Sequence, residues 1–356
     1  MVNVTTPKSL VLVVGAGASN EANLPTGAEL KKQIANALDI QLELGRGITR
    51  GDPRILEAYR TIAHLDQKLK DNINPLVLAG RRIRDGMPQA ISVDNFIDNL
   101  RDDKTIAQCG KLAIVRCILA AEQASKLFVD TSNINNKIAF AKIESTWFNS
   151  FFQLLTENCP ATDLPARLSQ IAIICFNYDR CLEHYLCASL QNYYGMELTA
   201  AAEVLRNLEI HHPYGMVGRL PWQDHAAGFE FGGEPDGKKL IDLSEELRTF
   251  TEGIDPTKSD IQSISAILAS AQRIAFLGFA FHRLNIQLLF AMKPNQQNSR
   301  NCPVYATAFG VSYSDCQKIT EELGQYAGIE QSSIRIKNEL KCAGLFHEYR
   351  RSLALA

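Results

Sequence analysis

The sequence predicts an α/β fold: a parallel sheet with helices on both faces, interrupted by a large all-helical insertion. Three observations predict it. "LVLVVGAG" (10–17) is a continuous apolar run that breaks on glycine, the pattern of a strand buried on both faces. From residue 166 onward, strand-like runs alternate with helical ones. Between these regions, residues 41–165 carry helical periodicity and no convincing strand.

The elements follow in order. After the first strand and "NLPTG", "AELKKQIANAL" places Leu30, Ile34 and Leu38 four residues apart, which predicts an amphipathic helix. The insertion contains "PRILEAYRTIAHLDQKL", "SVDNFIDNLRDD", "KLAIVRCILAAEQASKLF" and "STWFNSFFQLLTEN", all of helical period. Ser92 is a candidate cap for a helix whose inner face is Val93, Phe96, Ile97 and Leu100. "SQIAIICFNYD" (169–179) then predicts a strand leading into the helix "RCLEHYLCASL". "LRNLEIHHPYG" (205–215) is strand-like and runs into a polar, Gly-rich loop. "QRIAFLGFAF" (272–281) follows the helix "DIQSISAILASA", and "CPVYATAFG" (302–310) precedes the helix "SYSDCQKITEEL". The expected organisation is one composite domain over 1–356, with a core at about 8–40 and 166–325. The insertion spans about 41–165, and a C-terminal helical segment spans 326–356.

Bulk properties exclude several classes. Of 356 residues, 46% are apolar and 21% charged, an ordinary globular balance, and the net charge of −2 offers nothing general to nucleic acid or an anionic membrane. The nine cysteines include no Cys-x-x-Cys pair, and no secretory apolar segment precedes them. A reducing cytoplasm is the expected setting, with the thiols as small buried groups. No apolar stretch approaches membrane-spanning length.

Chemistry concentrates where strands end. Gly15-Ala16-Gly17-Ala18-Ser19 follows its strand directly, as a diphosphate-binding loop should, although a tight strand-to-helix turn explains it equally well. The dinucleotide fingerprint wants a third glycine where Asn20 stands, and no acidic residue follows at the required place. Asn177 and Asp179 fall at the carboxyl end of a buried strand, where open α/β sheets bind ligands; Asp179 is equally suited to capping the next helix. His211 and His212 end the next strand-like run, and neutral-pH proton transfer suits histidine. No third acid or thiol is spaced to make them metal ligands. Gly278 turns another strand, with Asn285 shortly after it. Gly310 and Ser312 suit the ribose or adenine end of a nucleotide, or a turn and a helix cap.

This ordered set resembles the sirtuin-like NAD hydrolases of bacterial anti-phage defence. The carrying motifs are Gly15-Ala-Gly17-Ala-Ser19 with Leu24-Pro25-Thr26-Gly27, Ser92-Val93-Asp94-Asn95-Phe96, Phe176-Asn177-Tyr178-Asp179, His211-His212-Pro213-Tyr214-Gly215 and Leu277-Gly278-Phe279, over residues 10–315. The resemblance implies a Rossmann-type sheet and an N-glycosidic cleavage of NAD. In its terms Asn177 and His212 act on the nicotinamide-bearing ribose, with His211 as the alternative base and Asp179 orienting its neighbours. Gly15 to Ser19, Pro25, Thr26, Gly278, Asn285, Gly310 and Ser312 would bind the NAD substrate. Protein-deacylating sirtuins carry a four-cysteine zinc module and a Phe-Arg pair after the glycine loop; this chain has neither, so water is the expected acceptor and no metal is expected. The length resembles the sirtuin-like subunit that works beside a HerA-type ATPase, which makes that ATPase or a homo-oligomer the expected activating partner. A non-catalytic NAD- or ADP-ribose-binding subunit is the main alternative. A nuclease lacks a carboxylate cluster and basic charge, so direct nucleic-acid binding is not expected, and a dehydrogenase lacks the third glycine and the ribose-binding acid.

Overall fold

The computed structural model describes residues 7–43, 47–133, 135–253, 261–291 and 300–355. In chain order the strands are β1 (Leu10–Val14), β2 (Gln41–Glu43), β3 (Gly47–Arg50), β4 (Ile171–Cys175), β5 (Glu209–His211), β6 (Ile274–Leu277), β7 (Val304–Thr307) and β8 (Ile334–Lys337). Six of them form one parallel sheet in the order β5-β4-β1-β6-β7-β8. The chain winds outward from β1 through β4 to β5, returns, and winds the other way through β6, β7 and β8. This is the doubly wound, Rossmann-like order, and its direction reverses between β1 and β6.

The central strand explains its own sequence. Leu12 lies between Ile173 of β4 and Ala275 of β6. Alternate β1 side chains enter opposite cores: Val11 and Val13 join one, Leu10, Leu12 and Val14 the other. All five are buried, so no position tolerates a polar residue and the run is unbroken; each such side chain contributes about 1.5–3 kcal/mol of burial.

Helices cover both faces. Gly27–Ala37, Pro53–Leu65, Asn74–Gly86, Lys104–Gln123 and Ile261–Ser270 contribute to the first core, and Trp147–Thr156, Cys181–Tyr194 and Cys342–Glu348 to the second. The insertion is therefore shared between the faces. Two expectations are corrected. The segment 41–165 is not wholly helical, because β2 and β3 form an antiparallel ribbon with an irregularity at Gln41 and Leu42. The segment 326–356 is not wholly helical either, because Ile334–Lys337 adds β8 to the sheet beside β7. These strands are three to four residues long and mostly unburied, so neither an apolar run nor a strand period marks them.

Candidate active site

The glycine loop is the first part of the site. Gly15 leaves β1 extended, and Ala16–Ser19 form one helical turn. Gly15 N donates to Leu277 O at 2.9 Å and Gly17 N to Gly278 O at 3.0 Å. A Cβ on Gly15 would lie 2.7 Å from Gly278 O, and one on Gly17 2.9 Å from Gly278 Cα. These glycines therefore let the turn after β1 close on the turn after β6. Gly278 has φ +56, and a Cβ there would lie 2.1 Å from Ala18 N; its own N–H donates to Thr307 Oγ1 at 2.8 Å. Asn20, standing where the fingerprint has glycine, donates from Nδ2 to Leu24 O and so closes the turn ahead of Pro25.

Asn177 and Asp179 come together with this loop at the end of β4. Asn177 Nδ2 donates to Gly15 O at 3.1 Å and Ser19 Oγ at 2.9 Å. Ser19 Oγ donates in turn to Asp179 Oδ1 at 3.1 Å, which also accepts from Cys181 N at 3.1 Å. Asp179 thus serves the site and holds the start of the helix Cys181–Tyr194. Burial is the main force on its carboxyl: despite the bonds from Cys181 and Ser19, its pKa is pushed up to about 6, with Glu122 adding to the rise. Asn177 Oδ1 is buried and finds no donor among the described residues. An orphaned acceptor of this kind costs roughly 1–3 kcal/mol, and it lies beside the glycine loop at the carboxyl ends of the central strands.

The paired histidines separate. His211 Nε2 meets Glu209 Oε1 at 2.9 Å. His212 Nδ1 lies 3.2 Å from Asn177 O, and its Nε2 lies 2.8 Å from Glu183 Oε1. A carbonyl and a carboxylate only accept, so this geometry suits a ring that donates from both nitrogens, the imidazolium form. Burial lowers its pKa, but Cys175 and Glu183 outweigh that and raise it well above the ordinary range. Burial also pushes up the Cys175 thiol, and Glu183 faces His212 across their hydrogen bond. The two side chains are 4% and 2% exposed. His212 therefore already holds the proton that its expected role as base would have it accept, and its contact to Asn177 is to the backbone.

The other expected binding residues are dispersed. Tyr214 OH donates to Asn285 Oδ1 at 2.5 Å, and the Tyr214 and Phe279 rings pack edge-on against Phe176. Tyr178 OH donates to Asp94, so the Ser92 segment is bonded to the Asn177 turn; Ser92 also caps its helix through Asn95 N. Thr26 forms a capping box with Glu29, and Ser312 accepts from Asp315 N, so both hydroxyls are engaged as helix caps. Gly310 has φ +79, and its N–H donates to Asn338 O. Sequence reading missed Glu183, whose only signal was its place in the first turn of the helix Cys181–Tyr194, four residues after Asp179. It also missed the fully buried pair of Arg180 and Glu122, 2.5 Å apart, which anchors the same turn to the helix Lys104–Gln123.

The fold and site define a Rossmann-like α/β protein with a buried amide–hydroxyl–carboxylate network at the carboxyl ends of β1 and β4, beside its topological switch point. No family model matches the chain, and no curated protein matches it. Among the described residues no three His, Cys, Asp or Glu side chains converge to hold a metal ion, and no helix is long and apolar enough to cross a membrane.

Proposed function

We propose that this protein is an NAD hydrolase that cleaves the nicotinamide–ribose bond to give nicotinamide and ADP-ribose. The observation that carries the reading is the buried, donorless Oδ1 of Asn177 beside the glycine loop. A ribose hydroxyl or an attacking water supplies the donor it lacks. Nicotinamide leaves as a neutral molecule with the electron pair of the broken C–N bond, so no general acid is required. Water then bonds to the anomeric carbon and releases one proton. Asp179, with its pKa near 6, suits accepting that proton at neutral pH, and Ser19 links it to Asn177. His212 is a positioning residue in this scheme: it fixes the Asn177 backbone, and Glu183 fixes His212.

The biological role follows from the resemblance. An NAD-depleting effector of anti-phage defence must be held in check, and assembly into a homo-oligomer or docking of a HerA-type ATPase would release it. The test is NAD consumption by the purified chain, with nicotinamide and ADP-ribose quantified. Asn177→Ala is expected to lower kcat about 100-fold or more, the scale of losing one polar group aimed at a transition state, with the fold intact by circular dichroism. One observation favours a second reading, a non-catalytic NAD- or ADP-ribose-binding subunit: neither His212 nitrogen is open to take a proton. NAD binding without turnover, alone and with the partner, selects that reading.

A further inference from the structure

A cavity of about 330 Å³ lies at the β5 edge of the sheet, and no residue of the glycine loop lines it. Its lining includes apolar Leu186, Leu208 and Met216 together with Arg219, Trp222 and Gln223, and the His212–Glu183 pair also lines it. One polar group there is buried without a partner. Trp222 Nε1 is buried and finds no acceptor among the described residues. An indole N–H is a donor only, so it asks for an acceptor from outside the described residues. Arg219 is exposed and makes no side-chain hydrogen bond or ion pair among the described residues, so its charge is available to a ligand; Asp224, the acid that feels its charge, spends Oδ1 on the N–H groups of Ala226 and Ala227. Arg206 also lines the cavity, paired with Glu203 on the exposed side. Glu183 does not repel an anion strongly, because His212 neutralises it at 2.8 Å.

We propose that this cavity binds a small organic anion, an apolar ring or chain carrying one carboxylate or phosphoryl group. The anionic group accepts from Trp222 Nε1 and pairs with Arg219, while the apolar body packs on Leu186, Leu208 and Met216. The volume is that of a small-molecule site. The site has a line to the reaction centre: Glu183 and His212 face the cavity, and His212 Nδ1 donates to the Asn177 carbonyl. Occupancy therefore acts on the orientation of Asn177, a consequence that rests on the hydrolase reading, whereas binding itself does not.

The experiment is isothermal titration of the full chain with benzoate and with phenyl phosphate, using benzamide as the uncharged control, up to about 10 mM. Tryptophan fluorescence is followed in parallel. The chain has two tryptophans, so Trp222→Phe both removes the donor and identifies the signal. The expected result is saturable binding of at least one anion and weaker binding of benzamide. Arg219→Met and Trp222→Phe should each weaken anion binding at least tenfold with Tm unchanged. A preference for benzoate or for phenyl phosphate tells carboxylate from phosphoryl ligands. The proposal is overturned if neither anion binds, if benzamide binds as well as both, or if the two variants bind like wild type. NAD turnover does not enter these readouts, so failure of the hydrolase reading leaves them standing.

Discussion

Replacing Asp179 with asparagine should stabilise this protein while damaging its site. Burial pushes the Asp179 pKa from 3.8 up to about 6. The native carboxyl therefore holds a proton over a pH range in which the unfolded chain has released it. In that window the native state binds more protons, so stability falls as pH rises from about 4 to about 6, then levels off. At 1.36 kcal/mol per unit, ionised Asp179 costs about 3 kcal/mol at neutral pH. Asparagine is uncharged and keeps an oxygen to accept from Cys181 N and Ser19 Oγ, so Asp179→Asn should recover most of that. Unfolding entropy of about 2.1 cal/mol/K per residue gives roughly 0.75 kcal/mol/K for 356 residues. The expected gain in Tm is about 4 °C at pH 7.5. Tm measured for both proteins between pH 4.5 and 8 should show the gap opening up to pH 6 and holding constant above it. A pH-independent gap, or a variant less stable at pH 8, refutes the argument.

Other predictions follow from the same geometry. Nitrogen NMR of His212 should report an imidazolium at pH 7.5; its pKa is raised, so its stabilising effect is complete below pH 6.5 and is lost only as pH passes the raised native value. A neutral ring at pH 7 would remove the positioning role. Glu122 accepts from Arg180 N, Nε and Nη2 and from Gly232 N, so Glu122→Leu should cost about 3–5 kcal/mol, whereas Glu122→Leu with Arg180→Met should recover much of it. A denaturation double-mutant cycle without that recovery contradicts the pair's desolvated character. Gly278→Ala places a Cβ 2.1 Å from Ala18 N and should leave little soluble protein. Gly310→Ala, at φ +79 in open space, should cost only about 1–2 kcal/mol; equal losses in Tm and yield would disprove the close-approach argument.

What the sequence revealed follows from the range of each interaction. β1 was readable because burial on both faces leaves five consecutive apolar residues. The long helices were readable because their periods repeat. β2, β3 and β8 span three to four residues and are largely unburied, so no apolar run marks them; β6 and β7 are as short, but each is buried along its whole length. Asn177 and Asp179 were legible from their place after a buried strand. Glu183 was not, because its partner His212 lies 29 residues away and only the return from helix to β5 joins them. Thr26 and Ser312 each have an acid three residues later, Glu29 and Asp315, and local capping claims both hydroxyls.

The insertion belongs to the scaffold of the site. Trp147 donates from Nε1 to Ala18 O at 2.9 Å and from its backbone to Glu21 Oε2 at 2.7 Å, so one of its helices holds the turn that follows the glycine loop. Asp94 holds Tyr178, and Glu122 holds Arg180. Three separate helices of the insertion therefore each grip a segment adjoining Asn177 or Ser19, and two of these contacts satisfy polar groups that would otherwise be buried without partners. A displacement of the insertion cannot leave the Asn177–Ser19–Asp179 network unchanged, because those contacts are side-chain hydrogen bonds of fixed length rather than yielding apolar surface. An assembly or partner that gripped the insertion would thereby act on the network without touching it.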